Sequence, residues 1–182
     1  MDLITHIALL RGINVGGRQL AAMADLRAML ATLNFTNPRS LLQSGNLIFQ
    51  CAPTPTPELE ALLESQAEAR LGLRTAFMVR TAAEWREIVA ANPFTREARD
   101  DPARLVAMAF KQTLAAQAVR TLRAAIVDRE TLEARGRELY VVYPDGMGNS
   151  RLTTALIDRT LGQRGTARNW NTVMKLAALV QG

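Results

Sequence analysis

The order of apolar runs and chain-breaking residues in this sequence passes through the same series twice, and this limits the available folds more than any single motif. Residues 3–11 read as a buried strand. Met23, Leu26, Met29, Leu30 and Leu33 then recur at helical spacing, with Asn34 as a left-handed stop. Residues 39–43 and 46–50 read as two short strands joined at Ser44-Gly45. Pro53, Pro55 and Pro57 stiffen the next loop, and Thr56 caps a helix whose buried stripe begins at Leu59, Leu62 and Leu63. Gly72 ends that helix, residues 74–80 form a strand, and Thr81-Ala82-Ala83-Glu84 is a capping box for a helix carrying Trp85, Ile88 and Val89. Asn92-Pro93 stops it.

The second half follows suit. Residues 104–110 read as a strand, Thr113 caps a helix with Val119 and Leu122, and residues 129–134 and 138–143 make a hairpin around Gly136. Ser150 caps a helix with Leu152, Leu156 and Leu161. A short strand near 165–168 precedes a helix bearing Trp170, Val173, Ala177 and Val180. Each half therefore reads βαββαβα. The repetition is of element order, not of residue identity.

That order predicts an α+β fold of two ferredoxin-like βαββαβ halves, each with an extra helix. Residues 1–93 form the first half, 94–103 a charged linker, and 104–182 the second half. A crossover helix makes the strands on either side of it parallel, and the hairpin partner inserts antiparallel between them. The loop after the first strand, Gly12–Gly17, is thus expected beside the turn Gln43–Asn46. In the second half, Pro144–Ser150 is expected beside Arg168-Asn169.

Composition narrows the chemistry. The chain has one cysteine, Cys51, and one histidine, His6, which excludes an internal disulfide and the usual zinc sites. A magnesium site of carboxylates and waters stays open. A Cys–His dyad could only join Cys51 to His6, and both read as ordinary strand residues. The apolar runs are too short to span a bilayer, and the acidic Asp2 does not suit a secretion signal, so a cytoplasmic protein is expected. Net charge is +5, and residues 94–182 carry all of the excess: 12 Arg and 2 Lys against 9 acids. A basic half can attract phosphates or nucleic acid.

Three islands rich in Arg, Asn and Gly lie where the chain changes direction: Arg11-Gly12-Ile13-Asn14-Val15-Gly16-Gly17-Arg18, Gln43-Ser44-Gly45-Asn46, and Arg168-Asn169-Trp170-Asn171-Thr172. A glycine-dense turn between two arginines can aim backbone N–H groups and guanidinium groups at one anion. It is not a nucleotide-hydrolysing P-loop. Arg18 stands at the phosphate-gripping lysine position, and Gln19 at that of the metal-binding hydroxyl. Ser44 lacks a base to activate it. The loop ending at Asn149-Ser150-Arg151 precedes a helix N-terminus, where anions are favoured. Trp170 reads as a core anchor and Asn169 as the helix cap. An RNA-recognition sheet needs aromatics on its first and third strands, and the first has none.

At Arg11-Gly12-Ile13-Asn14-Val15-Gly16-Gly17, Gln43-Ser44-Gly45-Asn46, Asn92-Pro93-Phe94, Ser150-Arg151-Leu152-Thr153 and Arg168-Asn169-Trp170-Asn171-Thr172-Val173 the chain resembles a bacterial family, domain of unknown function 1697. The resemblance spans nearly the whole chain. It implies a cytoplasmic α+β protein with ferredoxin-like halves, and it implies no activity. The family pattern has a basic residue near Asn149 and a lysine near Arg151. The first departure weakens a phosphate site there, and the second keeps the charge but changes its geometry.

The leading expectation is a binding protein for a phosphorylated or carboxylated small molecule, held in a groove between the halves. Arg11, Asn14, Gly16, Gly17 and Asn46 would line one side; Ser150, Arg151, Arg168, Asn169 and Asn171 would line the other. No general base stands out among these residues, so binding is favoured over catalysis, and no cofactor is named. The alternatives are sequence-independent nucleic-acid binding by the basic second half, and a structural or protein-interaction role only.

Overall fold

The computed structural model describes residues 2–13 and 21–180. The chain divides into two units, Met1–Glu87 with Leu176–Gly182, and Ile88–Lys175. Each is built on a four-stranded antiparallel sheet in βαββαβ order, and the fold is α+β with two ferredoxin-like halves.

In the first unit, β1 (Ile4–Leu10) leads to α1 (Met23–Thr32), then β2 (Thr36–Leu41), β3 (Asn46–Cys51), α2 (Thr56–Leu71) and β4 (Phe77–Thr81), from which α3 (Ala82–Ala90) departs. The strand order is β2-β3-β1-β4. Ala8 and Leu10 of β1, Leu47 and Phe49 of β3, and Phe77 and Val79 of β4 share one core with Leu26 and Leu30 of α1 and Leu59 and Leu63 of α2. Successive strand residues point to opposite faces, so Ile7, Leu9, Ile48 and Met78 point away from these helices, and they too are buried. Asn34, at φ 60°, stops α1 as its short amide side chain allows. The capping box opens α3 as its spacing predicts: Glu84 N–H donates to Thr81 Oγ1 at 3.1 Å, and Thr81 N–H to Glu84 Oε2 at 2.8 Å.

In the second unit, α4 (Thr95–Asp100) precedes β5 (Leu105–Ala109). Next come α5 (Ala116–Ala124), the hairpin β6 (Thr131–Arg135) and β7 (Glu138–Val142), α6 (Thr154–Leu161), β8 (Thr166–Asn169) and α7 (Trp170–Val180). The order β6-β7-β5-β8 repeats that of the first sheet. Val106, Met108, Leu139, Val141 and Tyr143 pack with Val119, Leu122 and Ile157 in its core.

Several boundaries differ from the sequence reading, each for a local reason. β2 starts at Thr36 rather than residue 39, in a polar stretch whose ladder shifts register between Thr36 and Arg39 around Pro38. Segment 94–103 contains α4. Thr113 does not cap α5, whose N-cap position is Ala115. Ser150 does not cap α6 either. A 3-10 turn at Met147–Asn149 intervenes, and Thr153 takes the role, accepting from Leu156 N–H at 3.2 Å.

Candidate functional site

The end of the first sheet juxtaposes the glycine islands as the topology requires. Leu9 of β1 faces Asn46 of β3, and Leu10 N–H donates to the Gly45 carbonyl at 2.8 Å. Gly45 has φ +78°, and a Cβ there would lie 2.8 Å from Leu10 Cβ and from Ile13 Cδ1. The turn and the loop leaving β1 are therefore in contact through a position that only glycine fits. Arg11 is half-buried, its N–H on the Ala76 carbonyl at 3.0 Å and its own carbonyl accepting from Thr75 Oγ1 at 2.6 Å. Asn46 is fully buried, and its amide donates to the Leu41 carbonyl at 2.8 Å and to Ser44 Oγ at 3.1 Å, closing the hairpin. Asn14, Gly16, Gly17, and Arg18 with them, lie outside the described residues.

In the second unit, Leu105 faces Val142 and Val106 faces Asn169, so the end of β7 and the end of β8 flank the start of β5. Ser150 donates its hydroxyl to Glu130 Oε1 and accepts from Leu152 N–H at 2.9 Å. Arg151 grips Asp128 with both arms of its fork, Nε at 3.0 Å and Nη2 at 2.6 Å, and this pair holds the Asp128 carboxyl below its ordinary range. Asn169 is the N-cap of α7, its Oδ1 accepting from Thr172 N–H at 3.0 Å and from Thr172 Oγ1 at 3.2 Å. Asn171 is exposed. Trp170 is buried with its ring 6.3 Å from that of Tyr140, the packing role its sequence context suggests.

Arg168 is 8% exposed and points away from the helices of its unit. Its Nη1 donates to Thr166 Oγ1 and to the Ala167 carbonyl, both at 2.8 Å. Burial lowers its pKa to about 10. The first unit has a counterpart that sequence reasoning missed. Arg80, 1% exposed, faces Ile7 on β1 as Arg168 faces Ala107 on β5, and its Nη1 donates to the Val79 carbonyl at 2.9 Å. Each arginine is the residue before the one that caps the following helix, Thr81 or Asn169. The duplicated order Arg-cap-helix is the signal that could have revealed it.

His6 and Cys51 come together after all. They lie on adjacent strands, with Cys51 Sγ 3.6 Å from His6 Nδ1, which also contacts the Ile4 carbonyl at 3.0 Å. His6 Nε2 is buried and has no partner among the described residues. Burial lowers the His6 pKa and raises that of Cys51, so the thiol is held in its neutral form at neutral pH. Among the described residues no group of three or more His, Cys, Asp or Glu could hold a metal ion. None of their helices is long and apolar enough to cross a membrane.

Several arginines of the second half are paired at the surface. Arg99 bonds Asp100 at 2.7 Å, Arg129 pairs with Asp145, and Arg151 with Asp128. Two carboxylates are each shared by two guanidinium groups: Asp100 also has Arg96 at 3.9 Å, and Glu133 draws both Arg123 and Arg135, each at 3.4 Å. Two guanidinium groups thus share one carboxylate beside β6.

A conserved bacterial protein from Streptococcus pneumoniae, SP0830, has a solved structure that matches with TM-score 0.77 at 20% identity, covering 99% of this chain and 100% of that one; it supports the fold. The crystal structure of the chlorite dismutase candidate TA0507 reaches a TM-score of only 0.25 at 12% identity, over 97% of this chain and 99% of that one, and bears on nothing here. No curated protein matches the chain. The family model described as "Protein of unknown function (DUF1697)" matches residues 3–140, and the chain belongs to that family.

Proposed function

We propose that this protein is a binding module that recognises an acidic protein partner through the α5–β6 surface of its second unit. The observation that carries this reading is the shared carboxylate. Arg123 and Arg135 converge on Glu133, and Arg120, exposed on α5 one turn before Arg123, has its guanidinium on the neutral amide of Gln117. Of the other acids nearby, Glu130 is buried and occupied by the Ser150 hydroxyl, and Glu138 faces Arg135 across the hairpin. The surface therefore keeps a local positive excess, with Arg120, Arg123 and Arg135 against Glu133 and Glu138. Solvated arginines of this kind attract carboxylates and govern encounter rates. The test is fluorescence anisotropy of a labelled glutamate-rich peptide and a labelled DNA oligonucleotide of equal charge. The peptide binds, and Arg120→Glu with Arg135→Glu weakens it at least tenfold. Equal or tighter binding of the oligonucleotide would replace this reading with the nucleic-acid one.

A second reading keeps the small anion, favoured by the contact between the loop leaving β1 and the Ser44-Gly45 turn. Here Arg11 supplies charge to a phosphorylated or carboxylated molecule at that end of the sheet. Thermal unfolding with inorganic phosphate tests it: a rise in midpoint that disappears in Arg11→Ala supports it, and no rise removes it.

A further inference from the structure

The acidic-partner reading leaves open how the partner is held, and the edges of the two sheets bear on this. An edge strand presents unpaired N–H and C=O groups, which proteins ordinarily cover or interrupt. On β4, the N–H groups of Phe77 and Val79 donate to Glu64 Oε1 and Glu60 Oε1 of α2, each at 2.9 Å. β2 is interrupted by Pro38, by the register shift between Thr36 and Arg39, and by Asn37 at φ 51°. β8 is only four residues long, and the N–H of Gly165 just before it donates to Asp158 Oδ1 at 3.0 Å.

β6 is different. It pairs with β7 in unbroken register from Thr131 to Arg135. Arg135 and Glu138 flank a two-residue turn and so form a hydrogen-bonded pair, which by alternation turns the N–H and C=O of Leu132 and Ala134 outward. The outward carbonyls are occupied by arginines: Arg123 Nη2 donates to Leu132 O at 3.3 Å, and Arg135 Nη1 to Ala134 O at 2.9 Å. No partner for the outward N–H groups of Leu132 and Ala134 is found among the described residues. Two hollows of about 380 and 510 Å³ adjoin the strand and meet at Arg123 and Glu133. The first is floored by Leu114, Val119 and Ala134, and the second by Phe94, Ile126 and Leu132. Leu132 is only 3% exposed, while the Arg123 side chain that reaches its carbonyl is 46% exposed.

We propose that β6 accepts an extended acidic peptide as a fifth, antiparallel strand, with Arg123 exchanging the Leu132 carbonyl for the peptide's carboxylates and Arg135 releasing the Ala134 carbonyl to a peptide N–H. This inference rests on the acidic-partner reading. The peptide's N–H groups take over the carbonyls of Leu132 and Ala134, and its own carbonyls accept the two outward N–H groups. Residues opposite Leu132 and Ala134 project to the α5 side, where Arg120 and Arg123 stand, and these are the acidic positions. Residues between them project to the opposite face. Specificity is thus an alternation, acidic towards α5 and β-branched away from it. Five residues of β6 span roughly 17 Å, enough to register a short segment.

The probe is a fluorescein-labelled nonapeptide of alternating Glu and Val, titrated into the full-length protein. Binding is expected to protect the Leu132 and Ala134 amides from hydrogen exchange at least tenfold. Methylating the backbone nitrogens of the glutamates should abolish binding, whereas methylating those of the valines should leave it within about twofold. Ala134→Pro removes one outward donor without touching the β6–β7 ladder, and should weaken binding at least tenfold. Equal effects of the two methylation patterns would overturn strand addition, and that test needs no protein variant to fold. If Arg120→Glu with Arg135→Glu weakens the peptide but the methylation pattern makes no difference, the acidic-partner reading stands and strand addition falls. If neither matters, both fall.

Discussion

The two halves share one strand order but finish their sheets differently. In the first, glutamates of α2 satisfy the outer N–H groups of β4, and a proline-centred irregularity blunts β2. In the second, β6 is a regular edge whose acceptors are covered by arginines and whose donors are left over. A buried carboxylate closes an edge for good, because uncovering it would strand both a charge and an amide. A half-exposed guanidinium can move to another acceptor at little cost. The same topology therefore yields one sheet that is finished and one that can be extended.

A large effect should come from removing a guard. Glu60 is 3% exposed, and Glu60→Ala leaves the Val79 N–H without its carboxylate. We expect a loss of about 1.5–3 kcal/mol, read by urea unfolding. An unchanged midpoint would mean that the β4 edge needs no cover and would dissolve the contrast. The hairpin glycines compare the halves directly. Gly45→Ala combines a left-handed conformation with contacts of 2.8 Å to Leu10 and Ile13, while Gly136, at φ +58°, has nothing within 4 Å of a new Cβ. The first should cost about 2–4 kcal/mol and the second about 1. Equal costs would show that backbone conformation alone matters at both turns.

Acid should separate the halves next. Burial lowers the His6 pKa in the folded state, so folding favours neutral imidazole. Its contribution is fully present above the ordinary value of 6.5 and is lost as pH falls below that towards the lowered folded value. The groups facing it are Cys51 on β3 and, electrostatically, Glu84 on α3, which opposes part of the shift. The second half has no histidine. Stability measured between pH 7.5 and 5 should fall, and His6→Gln should flatten that slope. Smallest of all is Arg151→Ala. Its partner Asp128 is solvated, and the thermal midpoint should not move measurably at moderate salt.

Element order was legible because its punctuation is local. Thr81 and Glu84, Asn34, Gly72 and Asn169 each act within a few residues of themselves, and all do what their spacing predicts. β2 was placed late because Thr36 to Ser40 has no apolar alternation to mark a strand. Thr153, three residues beyond Ser150, could serve equally well as a cap on sequence grounds. The choice is decided by the bond between Ser150 and Glu130, twenty residues apart. Glu60 and Glu64 belong to no motif, because their role is set by a strand distant from them in sequence. Of the expected site, Asn169 was legible as a cap. Asn46, Ser150 and Arg151 have contacts whose partners no motif names: the Leu41 carbonyl, Glu130 and Asp128.

The route of the chain has a further consequence. It begins in the first unit, passes through the second, and returns, so that Leu176–Gly182 completes the unit that Met1 opened. Arg39 of β2 donates to the Leu179 carbonyl at 3.0 Å, a bond between residues 140 positions apart. The second unit is thus a cassette with two joints, one in α3 and one in α7. A ribosome making this protein cannot finish the first unit until Leu176–Gly182 has emerged. A gene cut at its midpoint would encode a first half without its closing piece, whereas recombination at both joints could replace the cassette and spare its host.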